Sequence, residues 1–205
     1  MTRHNTLRAV RPRALRDAFG RLGTGVAVVT TLDEERVPYG ATVTSFAAVS
    51  EDPPLVQVTL RRTSKATRVL KSSPFAVNIL AADQADVARR FAGDTVIPAP
   101  DWSLHGDVPV LEGNASTMEC RPWNLYDGGD HVIVVGEVVA LAVGDAEPLL
   151  SQGSGFRRLG EQLLAVRSAG SPAGSPAGAV AGAPADAPPA DPGGWLAGVG
   201  SFTRL

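Results

Sequence analysis

Hydroxyl side chains gather at two places in this chain. One is "YGATVTSFAAVSEDPPL", residues 39–55, where Thr42, Thr44 and Ser45 interrupt a β-branched stretch. The other is "LRRTSKATRVL", residues 60–70, where Thr63, Ser64 and Thr67 stand among Arg61, Arg62, Lys65 and Arg68. Hydroxyls on a strand can line a polar cleft, but threonine is also an ordinary strand residue, so the first cluster has both readings. In the second, a strand gives way to a helix. Unpaired N–H groups at a helix start, set among hydroxyls and positive charge, form a cradle for phosphate; the same residues also make a plain N-cap with a solvated basic end. His131 follows "YDGGD" and opens the apolar run "HVIVVGEVVALAV". It is either a surface residue beside Asp130 at a hairpin or a polar group at the mouth of a cleft.

Other chemistries find no footing. Cys120 sits in "STMECRPW", where apolar and polar residues alternate, and reads as a small buried thiol rather than a nucleophile. His4, His105 and His131 show no metal-ligand spacing with it, so no metal is expected. There is no Ser–His–Asp order, no paired carboxylates, no GxGxxG and no P-loop. A formal net charge of -2, with the basic residues scattered, gives no pull toward nucleic acid or an anionic membrane surface. No apolar run approaches the ~20 residues of a membrane span. The opening "MTRHNTLRAVRPRAL" lacks the apolar stretch of a secretory signal, and a lone cysteine fits a reducing compartment. A cytoplasmic protein is the expectation.

The elements that must position these residues follow from periodicity. "RALRDAFGRLGTG" sets Leu15, Phe19 and Leu22 on one helical face and stops at Gly23 and Gly25. Strands are expected at 26–32, 39–49, 55–60 and 75–80, with a short helix in "SKATRVLKSS". On a single strand over 39–49, Thr42, Thr44, Phe46 and Ala48 share one face, and Val43, Ser45, Ala47 and Val49 share a core face. "DQADVARRFAG" reads as a helix capped by Asp83, with Val87, Ala88 and Phe91 inward. Residues 93–109 form a Pro- and Gly-rich excursion. "ASTMECRPWNLY" and "HVIVVGEVVALAV" make a hairpin through "DGGD", and "GFRRLG" a short closing strand. Many strands with short turns and few helices indicate a mainly β protein, a closed or partly closed barrel with peripheral helices. The expected organisation is an N-terminal arm over 1–13, a folded domain over 14–166 and an Ala/Gly/Pro-rich, disordered tail over 167–205.

Taken in order, "FGRLGTGVAVVTT", "YGATVTSFAAVSEDPPLVQVTL", "FAVNILAADQADVARRFAG", "GDHVIVVGEVVAL" and "PLLSQGSGFRRL" resemble the flavin reductase-like family, FMN-binding split β-barrels that serve two-component flavin monooxygenases. The resemblance spans roughly residues 14 to 160 and rests on several motifs together. It implies an NAD(P)H-dependent flavin reductase, with FMN or FAD and NADH or NADPH as cofactors, that passes hydride from nicotinamide C4 to flavin N5. It further implies a homodimer and a partner monooxygenase that receives reduced flavin. On matching positions, Thr42, Val43, Thr44 and Ser45 would lie along the polar edge of the isoalloxazine ring. Thr59, Leu60, Thr63, Ser64, Lys65 and Thr67 would hold the ribityl phosphate, and Phe91 would pack at the cofactor's side. His131, Phe156 and Arg157 would contact the nicotinamide cofactor, His131 orienting it rather than donating a proton. Two departures stand out: Thr44 where many relatives have Asn, and a 93–109 segment without the Arg/Lys–Phe pair common in the family. The Arg-for-Lys bias and the tail are similar to reductases of high-GC bacteria that serve polyketide-tailoring oxygenases. Two alternatives share the scaffold: an enzyme acting directly on an organic intermediate, and a flavin-binding protein without turnover.

Overall fold

The computed structural model describes residues 10–163, so most of the expected arm and all of the expected tail lie outside the described residues. Residues through Leu159 form one compact unit that carries every named helix and strand, and 160–163 belong to a second. Among the described residues no helix is long and apolar enough to cross a membrane.

In chain order the elements are α1 (Pro12–Phe19), β1 (Thr24–Gly25), β2 (Ala27–Leu32), β3 (Pro38–Val43), β4 (Ala47–Glu51) and β5 (Pro54–Arg61). They continue with α2 (Lys65–Val69), β6 (Phe75–Ile79), α3 (Ala85–Phe91), β7 (Trp102–His105) and β8 (Val108–Leu111). The last are β9 (Ser116–Gly128), β10 (His131–Val143), β11 (Leu150–Gln152) and β12 (Gly155–Arg157). Seven strands make the main sheet in the order β3-β2-β6-β9-β10-β5-β4, all neighbours antiparallel. The two edge strands, β3 and β4, are consecutive in the chain. Only Thr44, Ser45 and Phe46 separate them, and that much chain spans at most about 14 Å. The sheet must therefore curl until its edges nearly meet, without closing the ladder between them. This is the expected split barrel, mainly β with helices at its periphery.

The barrel interior is filled by alternate residues from its strands: Ala27 and Val29, Val43, Val56, Val58 and Leu60, Phe75 and Val77, Cys120, and Val132 and Val134. β2 is buried on both faces because Val28, with Val26 just ahead of the strand, packs outward against Leu80, Ala88, Leu111 and Leu149. That double cover explains why its sequence is an unbroken apolar and threonine run rather than an alternation. Asn78 braces the wall on its outer face. Its Nδ2 donates to the Val28 carbonyl and to Thr30 Oγ1, both at 2.9 Å, and its Oδ1 accepts from the Leu111 N–H at 3.2 Å. Thr30 in turn donates to the Pro109 carbonyl.

Several expectations need correction. The strand expected over 39–49 is two strands, broken at Thr44–Phe46, because the chain leaves one sheet edge there and joins the other. The shared core face fails with it: Val43 is buried, but Val49 is half exposed. The helix near the N-terminus starts at Pro12 and is capped at Gly20, and Leu15, Phe19 and Leu22 are all exposed rather than buried. Asp83 does not cap α3. Gln84 precedes the helix and its Oε1 accepts from the Ala81 N–H at 2.8 Å. The 93–109 excursion contains β7 and enters β8, a hairpin whose Val108, Val110 and Leu111 are buried. Proline at 109 hid that strand from an alternation count.

Candidate functional site

The hydroxyls of the broken strand face different partners. Thr42 Oγ1 donates to the Ala88 carbonyl at 2.6 Å and so ties β3 to α3. Ser45 Oγ donates to the Thr59 carbonyl at 2.8 Å and accepts from the Thr59 N–H at 3.1 Å. One side chain thus stands in for a missing strand and stitches the crossing to β5. Val43 is buried in the barrel. Thr44 is exposed and has no side-chain partner among the described residues. β3 is hydrogen-bonded to β2 alone, so the N–H and C=O groups along its other edge face the seam.

Phe91, the last residue of α3, lies directly on β3. A Cβ at Gly40 would come within 2.7 Å of its ring, so only glycine there permits the approach. The ring also meets Trp102 edge-on, with centroids 5.3 Å apart. Phe91 is therefore half-buried between β3 and β7, on the same side of β3 that Thr42 ties to α3.

At the end of β5, Thr59 and Leu60 pair with Ile133 and Val132 of β10, and Leu60 is buried. The turn into α2 is a self-satisfied N-cap. Ser64 Oγ accepts from the Thr67 N–H at 3.2 Å, and Thr67 Oγ1 donates to the Arg61 carbonyl at 2.8 Å. Lys65 reaches back to Asp33 at 2.8 Å, with its ammonium 5.2 Å above the Tyr39 ring. That hydrogen bond, with help from the Val37 N–H, holds the Asp33 carboxyl below its ordinary range. Of the four residues in the expected cradle, only Thr63 keeps a side chain with no partner among the described residues.

His131 lies opposite Arg61 across the β5–β10 ladder. Its Nδ1 is 2.7 Å from Asp130 Oδ1, an interaction that lowers the carboxyl of Asp130. Arg62, which the sequence placed only in the basic cluster of 60–70, fastens this hairpin. Its guanidinium reaches Asp127 at 3.0 Å and the Gly129 carbonyl at 3.1 Å, while its backbone N–H donates to the Asp130 carbonyl at 3.0 Å. No local signal marks it, because its acceptors are more than sixty residues away. The structure thus links Thr42–Ser45, Phe91, the β5–α2 turn and His131 through one run of contacts. Phe156 and Arg157 stand apart, on β12 of a three-stranded sheet with β1 and β11.

Cys120 takes no part. Burial, aided by the neighbouring Glu119 charge, pushes its thiol up to about 12, so it stays protonated and unreactive at neutral pH.

What the seam offers is an unpaired strand edge, an unengaged hydroxyl at Thr44, and the basic end of β5 at Arg61. Donors and acceptors in a row beside positive charge suit a flat heteroaromatic ring with a polar edge and a phosphate. Comparison with known proteins points the same way. The flavin reductase-like domain matches residues 19–160. The FMN reductase (NADH) SmoA of Agrobacterium fabrum is 39% identical over 153 residues, 73% of this chain and 87% of its own length. The reductase component of the flavin-dependent trigonelline monooxygenase of Acinetobacter baylyi is 40% identical over 130 residues, 62% of this chain and 42% of that protein. The chain spans less than half the length of some relatives it matches. Among solved structures, the Streptomyces globisporus NADH:FAD oxidoreductase SgcE6, in complex with NAD and FAD fragments, superposes with a TM-score of 0.70 at 35% identity, covering 77% of this chain and 99% of that one.

Proposed function

This chain belongs to the flavin reductase-like family, and from that premise we propose that it is an NAD(P)H-dependent flavin reductase supplying reduced flavin to a separate monooxygenase. The observation that carries the reading is the open seam of the barrel, where the free edge of β3 and the Thr44 hydroxyl face the crossing to β4. Flavin, held by Thr42–Ser45 and the β5–α2 turn, would supply the hydride-accepting chemistry. The protein then has only to bind, align and shield two flat rings, which explains why no catalytic triad or paired carboxylate is needed.

In this reading the backbone of Thr42–Ser45 and the hydroxyl of Thr44 meet the polar edge of the ring. Thr42 and Ser45 hold that backbone in place through Ala88 and Thr59. The turn from Thr59 and Leu60 through Thr63, Ser64, Lys65 and Thr67 takes the phosphate, with Ser64 and Thr67 shaping the turn and Thr63 turned outward. Phe91 closes one side. His131, oriented by Asp130, together with Phe156 and Arg157, positions the nicotinamide cofactor.

We also read the molecule as a cytoplasmic homodimer. Beyond Glu137, β10 pairs with β9 only, and Val139, Leu141 and Val143 on that free stretch are more than half exposed. An apolar, unpaired strand edge is a standing invitation to another chain, and a second copy is the partner always present. The function is tested by mixing the purified protein with NADH or NADPH and with FMN or FAD, and following nicotinamide absorbance. Flavin-stimulated oxidation is expected. Saturable flavin binding without oxidation of either nicotinamide would refute the reductase reading.

A further inference from the structure

A separate concavity lies away from the seam. An open cleft of about 650 Å3 lies between the end of α1 and the turn joining β11 to β12, within the range of small-molecule sites. Arg16, Arg21 and Arg157 line it, with Asp17 as the only opposing charge. Three positive groups against one negative leave a local excess of two in a chain whose net charge is -2. None of these guanidinium groups has an ion-pair or hydrogen-bond partner among the described residues.

The C-terminal dipole of α1 draws basic residues, but it does not require three of them around a cavity. The end of that helix is also already answered: the Gly153 N–H donates to the Gly20 carbonyl at 2.8 Å. The same contact brings the two backbones so close that a Cβ at Gly20 would sit 3.4 Å from Gly153 Cα. The attraction at the cleft is thus that of the guanidiniums, whose planar forks match phosphate oxygens two at a time. One inorganic phosphate would engage one or two of them and leave most of the volume empty. A diphosphate with a nucleoside attached would use all three and fill the space.

We propose that this cleft binds the adenosine diphosphate moiety that NAD(P)H and FAD have in common. The inference rests on the reductase reading, to which it adds a place for the half of the dinucleotide remote from the reacting ring. It would make Arg16 and Arg21, neither assigned a role from the sequence, determinants of cofactor choice.

The test uses the full chain and the double variant R16Q/R21Q, with circular dichroism to establish that the variant is folded. ADP is titrated by calorimetry, and steady-state KM is measured for four cofactors: NADH, its truncated analogue reduced nicotinamide mononucleotide, FAD and FMN. The loss of charge-assisted hydrogen bonds should weaken ADP binding about tenfold. If the nicotinamide dinucleotide is the source of the moiety, KM rises about tenfold for NADH and not for its mononucleotide. If FAD is the source, it rises for FAD and not for FMN. ADP affinity equal in both proteins, or four unmoved KM values, would overturn the proposal. A wild type that oxidises no NADH would instead remove the reductase reading, and the ADP titration would still decide the cleft.

Discussion

Thr44 and Ser45 are neighbours in sequence with opposite duties. The Ser45 hydroxyl makes two hydrogen bonds to the backbone of Thr59, whereas Thr44 makes none among the described residues. Ser45→Ala leaves a partly buried N–H and carbonyl unanswered and should cost about 1–3 kcal/mol. Thr44→Ala should change stability by less than about 0.5 kcal/mol, yet weaken flavin binding if its hydroxyl meets the ring. Thermal unfolding and a flavin titration of both variants check this; equal losses of stability would contradict the division of labour. At this scale the sequence marked the right segment but could not rank its members. Whether a hydroxyl is engaged depends on Thr59 and Ala88, 14 and 46 positions away. Cys120 was legible because the alternation of its immediate neighbours was enough.

Among the elements, β10 bears the most. Its ladder with β9 shifts register between Val135 and Gly136, and a Cβ at Gly136 would come within 2.5 Å of the Phe75 ring and 3.0 Å of Cys120 Cβ. Both neighbours are buried in the barrel core. Gly136→Ala should therefore destabilise the fold by about 1–3 kcal/mol through overpacking, read as a lower midpoint in urea unfolding. An unchanged midpoint would mean that the core yields at this point. The strong β-branched strands were plain in the sequence, since packing and propensity agree there. The break at Thr44–Phe46 was not, because it answers to the curl of the whole sheet. Nor was the exposure of α1, whose apolar face is correctly spaced but finds nothing to cover it among the described residues.

At the level of the whole molecule, the proposed homodimer rests on the free edge of β10. Leu141→Lys places a charge on that edge and should convert a dimer into a monomer, seen in sedimentation velocity at micromolar concentration. A wild type that sediments as a monomer would exclude the homodimer. The fold class was legible from strand count and turn spacing, and the seam was not, since its two edges are brought together only by closure. That closure carries a consequence for synthesis. β5 finishes at Arg61 and already has β4 beside it, but its second partner, β10, begins at His131, 70 positions later (131 − 61). The entropy of closing so long a loop grows only with the logarithm of its length. Delay on the ribosome is a different matter: at ~5–20 residues per second, β5 waits about 4–14 s for β10 to emerge. Throughout that interval the edge of β5 that β10 will pair stays open. The chain is thus most open to wrong pairing while it is being made, and the barrel's last seam is also the moment its vulnerability ends.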